Sequence, residues 1–482
     1  MTDSALLGID FPRTSADRRS TTHLGRAVAA DALRSVDPAG ARSAEQETNW
    51  RTGYLTHYRR LLEAGIGSRP AAVAIAEAGL ASLHDRMCVV TSEGDLPLPS
   101  WRGGLELSTV TIEGREAPET ELTLPYHGER LGGDALRRRL DTWVLAGVVE
   151  PTVREAVLTV LENPAWLRLE SDAVVVLGAG AEMGPLRALL RWGASVVALD
   201  LPRPALWQRV LETSSAGTLI VPGLGPGEPD PQRLGADLTT DVPAVAAWLA
   251  GLEPRLVLGN YVYADGAANV RVSVAVDELS TRLLEQRPDT ALAFLATPTD
   301  VFAVPGEAVA QSVLAYENRS RGAKLVSRPL RAVSAGRLLR PAYVPGSDPG
   351  VIDSLVPQQG PNYALAKRLQ RWRAIAAREA GVTVSMNVAP PTRTRSVVKN
   401  RALAAAYAGA HRFGVEVFEP ATANVLMAAL LVHDLRTGGG PRHQEPWQDE
   451  AFAAAHGGLW RAAYAPRSAL GLAAVLGYGS AR

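Results

Sequence analysis

Cysteine is almost absent: Cys88 is the only one in 482 residues. One thiol excludes an intramolecular disulfide framework and any metal site built on a cysteine cluster. Lysine is nearly as scarce. Only Lys324, Lys367 and Lys399 occur, so 47 of the 50 basic residues are arginine. Net charge is missing as well, because 50 acidic residues balance the 50 basic ones, which speaks against a globally basic nucleic-acid binder. Apolar runs such as 173–177 and 469–476 fall far short of the ~20 residues that cross a bilayer. The first 19 residues carry Asp3, Asp10 and Asp17 and lack the apolar stretch of a secretory signal. The eight histidines show no metal-binding spacing, and neither a Gly-x-Ser-x-Gly elbow nor a Walker loop occurs. From these absences we expect a cytoplasmic protein with no integral membrane segment, no metal and no nucleic-acid partner.

What is present suits a globular chain. Hydrophobic residues make up 46% and charged ones 21%, so a packed core is within reach. The length predicts several domains, or one large domain with additions. Residues 1–165 read as a helix-rich N-terminal module. Its first 45 or so residues are polar and rich in Arg, Asp and Ser, with one weak helical stretch at 24–35, and are expected to form a poorly ordered arm. Helical spacing follows over 50–90, with Pro70 as a helix start, and again at 135–149 and 153–161; short strands fit 105–112 and 121–124. The pattern changes at Ser171. Apolar, β-branched runs at 173–177, 195–199, 218–221, 255–258, 291–296 and 382–388 alternate with helical patterns at 186–191, 242–249, 269–286, 363–380 and 422–436. This predicts an α/β fold, a doubly wound, Rossmann-like parallel sheet covered on both faces, over 166–436. Residues 298–360 form an insertion before the 363–380 helix, with a helix of its own near 307–318, and 437–482 is a C-terminal tail.

The first chemical signal is the turn Gly178-Ala179-Gly180-Ala181-Glu182-Met183-Gly184, between a strand and a helix. Glycines there allow a tight turn and close approach of backbone to phosphate. Asp200 ends the next strand, where a carboxylate can accept hydrogen bonds from both ribose hydroxyls of an adenosine. The turn alone does not separate NAD from S-adenosylmethionine. The second signal is Tyr363-Ala-Leu-Ala-Lys367, a phenol and an ammonium on one helix face. A nearby cation favours the phenolate and lowers the pKa of Tyr. Lys367 is also one of three lysines in a chain that otherwise uses arginine.

Taken together these residues resemble the short-chain dehydrogenase/reductase superfamily over about residues 171–436. Tyr-x-x-x-Lys at 363–367 resembles its active-site helix. Gly381 to Pro390 resembles its sixth strand and the following loop, and 418–431 its late helix. Asp237 and Leu238 match the segment that contacts adenine. Asn260 stands where the family has an Asn-Asn-Ala-Gly turn, here reduced to Gly259-Asn260-Tyr261, and Asn269 where it has a catalytic Asn. The resemblance implies an NAD cofactor, with NADP the other option given Arg203 near Asp200. It is held by Gly178, Gly180, Met183, Gly184, Asp200, Asp237, Leu238 and Asn260. It implies that Tyr363 exchanges a proton with a carbonyl or alcohol substrate, that Lys367 lowers its pKa and bonds the nicotinamide ribose, and that Asn269 holds a relay water. The family's serine is expected about a dozen residues before the tyrosine. Here the strand end reads Ala296-Thr297-Pro298-Thr299, so Thr297 takes that role, with Ser354 and Ser347 as alternatives.

The insertion adds Arg319, Arg321, Lys324, Arg328, Arg331, Arg337 and Arg340 with no acid among them. Arg319, Arg321 and Lys324 are candidates to hold an anionic substrate handle such as a CoA or carrier-protein phosphopantetheine. The plainer reading is an arginine-rich solvated helix. The aromatic stretch 460–478 is expected to dock on the domain, to form a homo-oligomer contact or to touch a membrane surface. Two other functional readings stand beside the oxidoreductase: a methyltransferase using S-adenosylmethionine, which leaves Tyr363 and Lys367 unexplained, and an inactive dinucleotide-binding scaffold.

Overall fold

A computed structural model describes residues 7–214, 216–225 and 227–479. Its centre is a seven-stranded sheet. Six strands are parallel, in the order Val384–Val388, Ala291–Ala296, Arg255–Asn260, Asp172–Leu177, Ser195–Leu199, Thr218–Gly223. This is the doubly wound, Rossmann-like order. Every position of Asp172–Leu177 is buried, as a strand covered on both faces requires. Alternate residues feed opposite cores: Ala173, Val175 and Leu177 join one cluster, Val174 and Val176 the other. The chain reverses its direction of travel between Asp172–Leu177 and Arg255–Asn260. Ligands of such sheets bind outside the carboxyl ends of the strands at that point.

The seventh strand corrects the view of residues 1–165 as a separate extension. Ser108–Glu113 pairs antiparallel with Thr218–Gly223 and closes that edge of the sheet. The N-terminal helices also supply both faces. Leu24, Tyr54 and Leu83 pack in the same cluster as Val175 and Leu258; Leu140, Trp143 and Val157 pack with Val174 and Val196. No core boundary falls at residue 165.

The arm expected to be poorly ordered is built into this body from residue 8 on; Met1–Leu6 lie outside the described residues. Gly8–Asp10 pairs with Cys88–Thr91, and Thr21–Leu33 and Pro38–Glu45 are helices. The polar residues that made this stretch look solvated serve as caps and ion pairs. Ser20 and Asp37 cap the two helices, and Arg19 binds Asp95 at 2.7 Å.

The insertion is likewise ordered. Val301–Val304 and Gly350–Asp353 form an antiparallel ribbon around the helices Gly306–Glu317 and Arg321–Val333. The ribbon is tied to the helix Gly360–Glu379 by buried charge. Asp300 accepts from Arg368 and Arg371 at 2.7 Å each, and Arg371 reaches on to Glu450 at 2.6 Å. The C-terminal stretch docks on the domain: Trp460 is fully buried, and His456 and Arg461 bind Glu150 at 2.8 and 2.7 Å. Among the described residues no helix is long and apolar enough to cross a membrane.

Candidate active site

The helix Gly360–Glu379 starts on Gly360, whose φ of +80° suits glycine, and has Pro361 in its first turn. That start sets Tyr363 and Lys367 one turn apart. The Tyr363 phenol donates to Thr297 Oγ1 at 2.9 Å, although 66 residues separate them. Thr297 Oγ1 and Thr299 Oγ1 are 2.9 Å apart, and Thr299 donates to Gln359 Oε1 at 2.9 Å. With Gln359 fixed as acceptor, the donors run one way, from Tyr363 through Thr297 and Thr299 to the amide oxygen.

The expected acidification of Tyr363 by Lys367 is corrected here. Burial pushes the phenol above its ordinary value, and the hydrogen bonds to Thr297 and Thr299 pull it only part of the way back. Lys367 is turned to Gln370 Oε1 at 3.3 Å, and burial lowers its ammonium to about 8. Gln370 in turn donates to Asn260 Oδ1 at 3.2 Å, which draws Asn260 into the lysine's surroundings. Asn269 accepts from the Ala264 N–H at 3.1 Å; its Nδ2 is buried and, among the described residues, without an acceptor.

The glycine turn lies at the end of Asp172–Leu177. Gly178 has φ +85°, and a Cβ there would sit 3.1 Å from the backbone of Tyr261, so any other residue would be strained and crowded. Asp200 braces the turn. Its Oδ2 accepts from Gly180 N at 2.8 Å and its Oδ1 from Leu201 N at 2.7 Å. Burial holds its carboxyl above the usual range, against the pull of those two N–H groups. Met183 packs half-buried against the sheet, and the Gly184 carbonyl accepts from Asn424. Glu182, which the sequence reading passed over, accepts from the Arg395 N–H at 2.7 Å and so ties the turn to the segment after Val384–Val388. Asp237 caps the helix Leu238–Ala250 through Thr239 N at 2.9 Å, and Leu238 is buried beside it.

The three cations proposed for an anionic handle stand at, or just before, the start of the helix Arg321–Val333. Arg319 lies flat on Tyr316, 3.2 Å from its ring centre, and 5.2 Å from that of Tyr464. Arg321 is exposed at a helix start, and Lys324 is half-buried further along the same helix.

Beside the Tyr363 chain opens an apolar cavity of about 680 Å³, its open mouth included. Thr299, Ser354, Tyr407, Phe413, Tyr464 and Leu470 are among its lining. The Ser354 hydroxyl is buried there and, among the described residues, makes no hydrogen bond. Ser347 is not in the lining and donates to the Val344 carbonyl at 2.8 Å. The sequence reading missed Thr299, Gln359, Gln370 and, apart from Ser354, the cavity wall. Only the first three left a trace, by standing two to four residues from Thr297, Tyr363 and Lys367.

These residues fit a nicotinamide dinucleotide. Among the described residues Lys367 is a half-buried cation whose partner is an amide oxygen rather than a carboxylate, and Asn269 Nδ2 is a buried donor with no acceptor; both call for a polar ligand. Gly178 brings bare backbone to the switch point, and Asp200 stands at the adjoining strand end.

No protein-family model matches the chain, and no curated protein does. Among solved structures the chain is similar to A-type ketoreductases from a modular polyketide synthase, at 19% identity over 59% of this chain and 47% of that one, with a TM-score of 0.30. It is also similar to an A1-type ketoreductase, at 15% identity over 63% and 54%, TM-score 0.32. A third is an oxidoreductase of the short-chain dehydrogenase/reductase family from Burkholderia thailandensis, at 16% identity over 60% and 92%, TM-score 0.32. The chain spans about half the length of the two ketoreductase chains. In its strand order, its glycine turn and its Tyr363–Lys367 helix, this protein bears a divergent resemblance to the short-chain dehydrogenase/reductases.

Proposed function

We propose that this protein is a nicotinamide-dependent oxidoreductase that interconverts a carbonyl and an alcohol on an apolar small molecule. The observation that carries the reading is the Tyr363–Thr297 hydrogen bond at 2.9 Å, one helical turn from Lys367 and joined through Thr299 to the lining of the cavity. When bound, the nicotinamide supplies or accepts the hydride. The residues that would hold it are Gly178, Gly180 and Asp200 at the adenosine end and Lys367 and Asn269 near the reacting end. Asp200 disfavours a ribose phosphate, so NAD(H) is favoured over NADP(H).

The protein's own part is proton transfer and orientation. Tyr363 turns its O–H from Thr297 to the substrate oxygen and donates its proton there, or takes one from an alcohol. Thr297, turning its O–H away from Thr299, or Ser354 with its own O–H, polarises the same oxygen. Lys367 stabilises the phenolate that results. The lining from Tyr407 to Leu470 excludes water from the apolar part of the substrate. Of the three cations considered for an anionic handle, Arg319 is the one that lies against a lining residue, Tyr464.

A titration with NAD(H), NADP(H) and S-adenosylmethionine tests the cofactor class. Binding of NAD(H) supports the reading, and binding of S-adenosylmethionine alone overturns it in favour of a methyltransferase. On apolar ketones and aldehydes, Tyr363→Phe is expected to lower turnover roughly 10²- to 10⁴-fold with cofactor affinity nearly unchanged. Full activity of that variant would remove Tyr363 as the proton donor.

A further inference from the structure

The helix Arg321–Val333 is packed in an unusual sense. Among the described residues Ser327 is buried in it, while Leu325 is 76% and Val333 90% exposed. Gly322, Pro329 and Ala332 are exposed too. At about 100° per residue these five positions share one arc of roughly 100°, so they form a single apolar stripe facing outward. A stripe of cations runs directly alongside. Arg321 and Arg328 are exposed on it, with Lys324 and Arg331 partly covered at its inner edge, where Arg331 donates to the Tyr316 hydroxyl at 2.7 Å. No acid occurs between Arg319 and Arg340. Just before the helix, Arg319 lies over Tyr316 and Tyr464, and Tyr464 lines the cavity wall.

We propose that Arg321–Val333 docks this protein on the surface of an anionic lipid bilayer. An apolar stripe flanked by cations is the arrangement that lies in a membrane interface, with the apolar side chains at the acyl boundary and the guanidinium groups among the headgroups. The segment 319–340 carries seven cations and no acid, against five in the other acid-free stretch at 393–412, so in a neutral protein it offers the stronger charge complementarity to such a surface. An acidic protein partner would match the cations but would leave Leu325 and Val333 unexplained. Docking places the mouth of an apolar cavity near the phase in which apolar molecules reside. It needs neither cofactor nor turnover, so it stands or falls apart from the oxidoreductase reading.

Vesicle flotation of the full-length protein tests it. One set of vesicles is phosphatidylcholine alone, the other phosphatidylcholine with about one part in three phosphatidylglycerol. The expected result is binding to the second set only, weakened by high salt. The double variant Leu325→Glu with Val333→Glu is expected to lose binding roughly ten-fold or more while its melting temperature stays unchanged, since both side chains are exposed. Equal binding by wild type and variant, or no binding of the wild type to anionic vesicles, overturns the proposal. So does a wild-type dimer in light scattering that the variant converts to monomer, because a second copy would then be what covers the stripe.

Discussion

Lys367 is a half-buried ammonium whose neighbour is an amide oxygen rather than a carboxylate. Burial depresses its pKa from the ordinary 10.5 to about 8. A depressed lysine costs stability while it is charged. The cost is full below pH 8, shrinks as pH rises toward 10.5, and is gone above that. Lys367→Met keeps the length of the side chain and removes the charge. It should therefore stabilise the ligand-free protein at pH 7 by about 1–3 kcal/mol, with the gain fading as the pH of the melt is raised from 8 to 10.5. Under the proposed function the same variant should lose turnover. Urea melts across that pH range decide the matter, and a Lys367→Met protein less stable than wild type at pH 7 would show the lysine to be structural. Its scarcity singled the residue out in the sequence, but its partner was not legible there. The pKa of Tyr363 was expected to fall toward Lys367, whereas the fold seals the phenol against Thr297 and burial prevails.

At the scale of elements, the helix Gly360–Glu379 and the insertion are held in register by charge. Asp300 is 1% exposed and accepts two guanidinium N–H bonds, from Arg368 and Arg371, as well as the Val301 N–H at 2.7 Å. It sits next to Thr299, so the same contact that closes the insertion positions the Tyr363 partner chain. Asp300→Asn keeps the shape and removes the charge, leaving Arg368 buried without a carboxylate. We expect a loss of about 3–5 kcal/mol in denaturant unfolding. A loss below about 1 kcal/mol would mean that water or another acid compensates Arg368. The helix itself was legible from apolar periodicity, from Tyr363 onward. Its ion pairs were not, because Asp300 and Glu450 are remote in sequence and an arginine on a helix face looks the same whether it meets water or a buried acid.

For the whole molecule the decisive feature is that residues before 166 complete the sheet and cover both its faces. A chain beginning at residue 166 would lose the edge strand Ser108–Glu113 and would bare the apolar surfaces now covered by Leu24, Tyr54, Leu140 and Trp143. An unpaired edge above two stripped faces favours aggregation. Such a chain is expected to be insoluble or to lack a cooperative melt, read by fractionation and circular dichroism. A monodisperse, cooperatively folding 166–482 chain would show that the N-terminal part is a separable domain after all.

The sequence by itself determined the local order of this protein. Strands such as Ala291–Ala296 and Ser195–Leu199 and the helix Leu186–Arg191 stand where periodicity put them, because a buried parallel strand must be apolar throughout and glycine must make the turn at Gly178. The Tyr363–Lys367 pairing follows from helical spacing alone. Tertiary structure decided the rest. It brought Thr297 to Tyr363 across 66 residues, turned Lys367 to Gln370, and assembled the cavity from segments around Ser354, Tyr407 and Tyr464. It also took the polar first segment into the body through caps and ion pairs. Composition records how many charges a segment has, while only packing determines whether those charges meet solvent or each other.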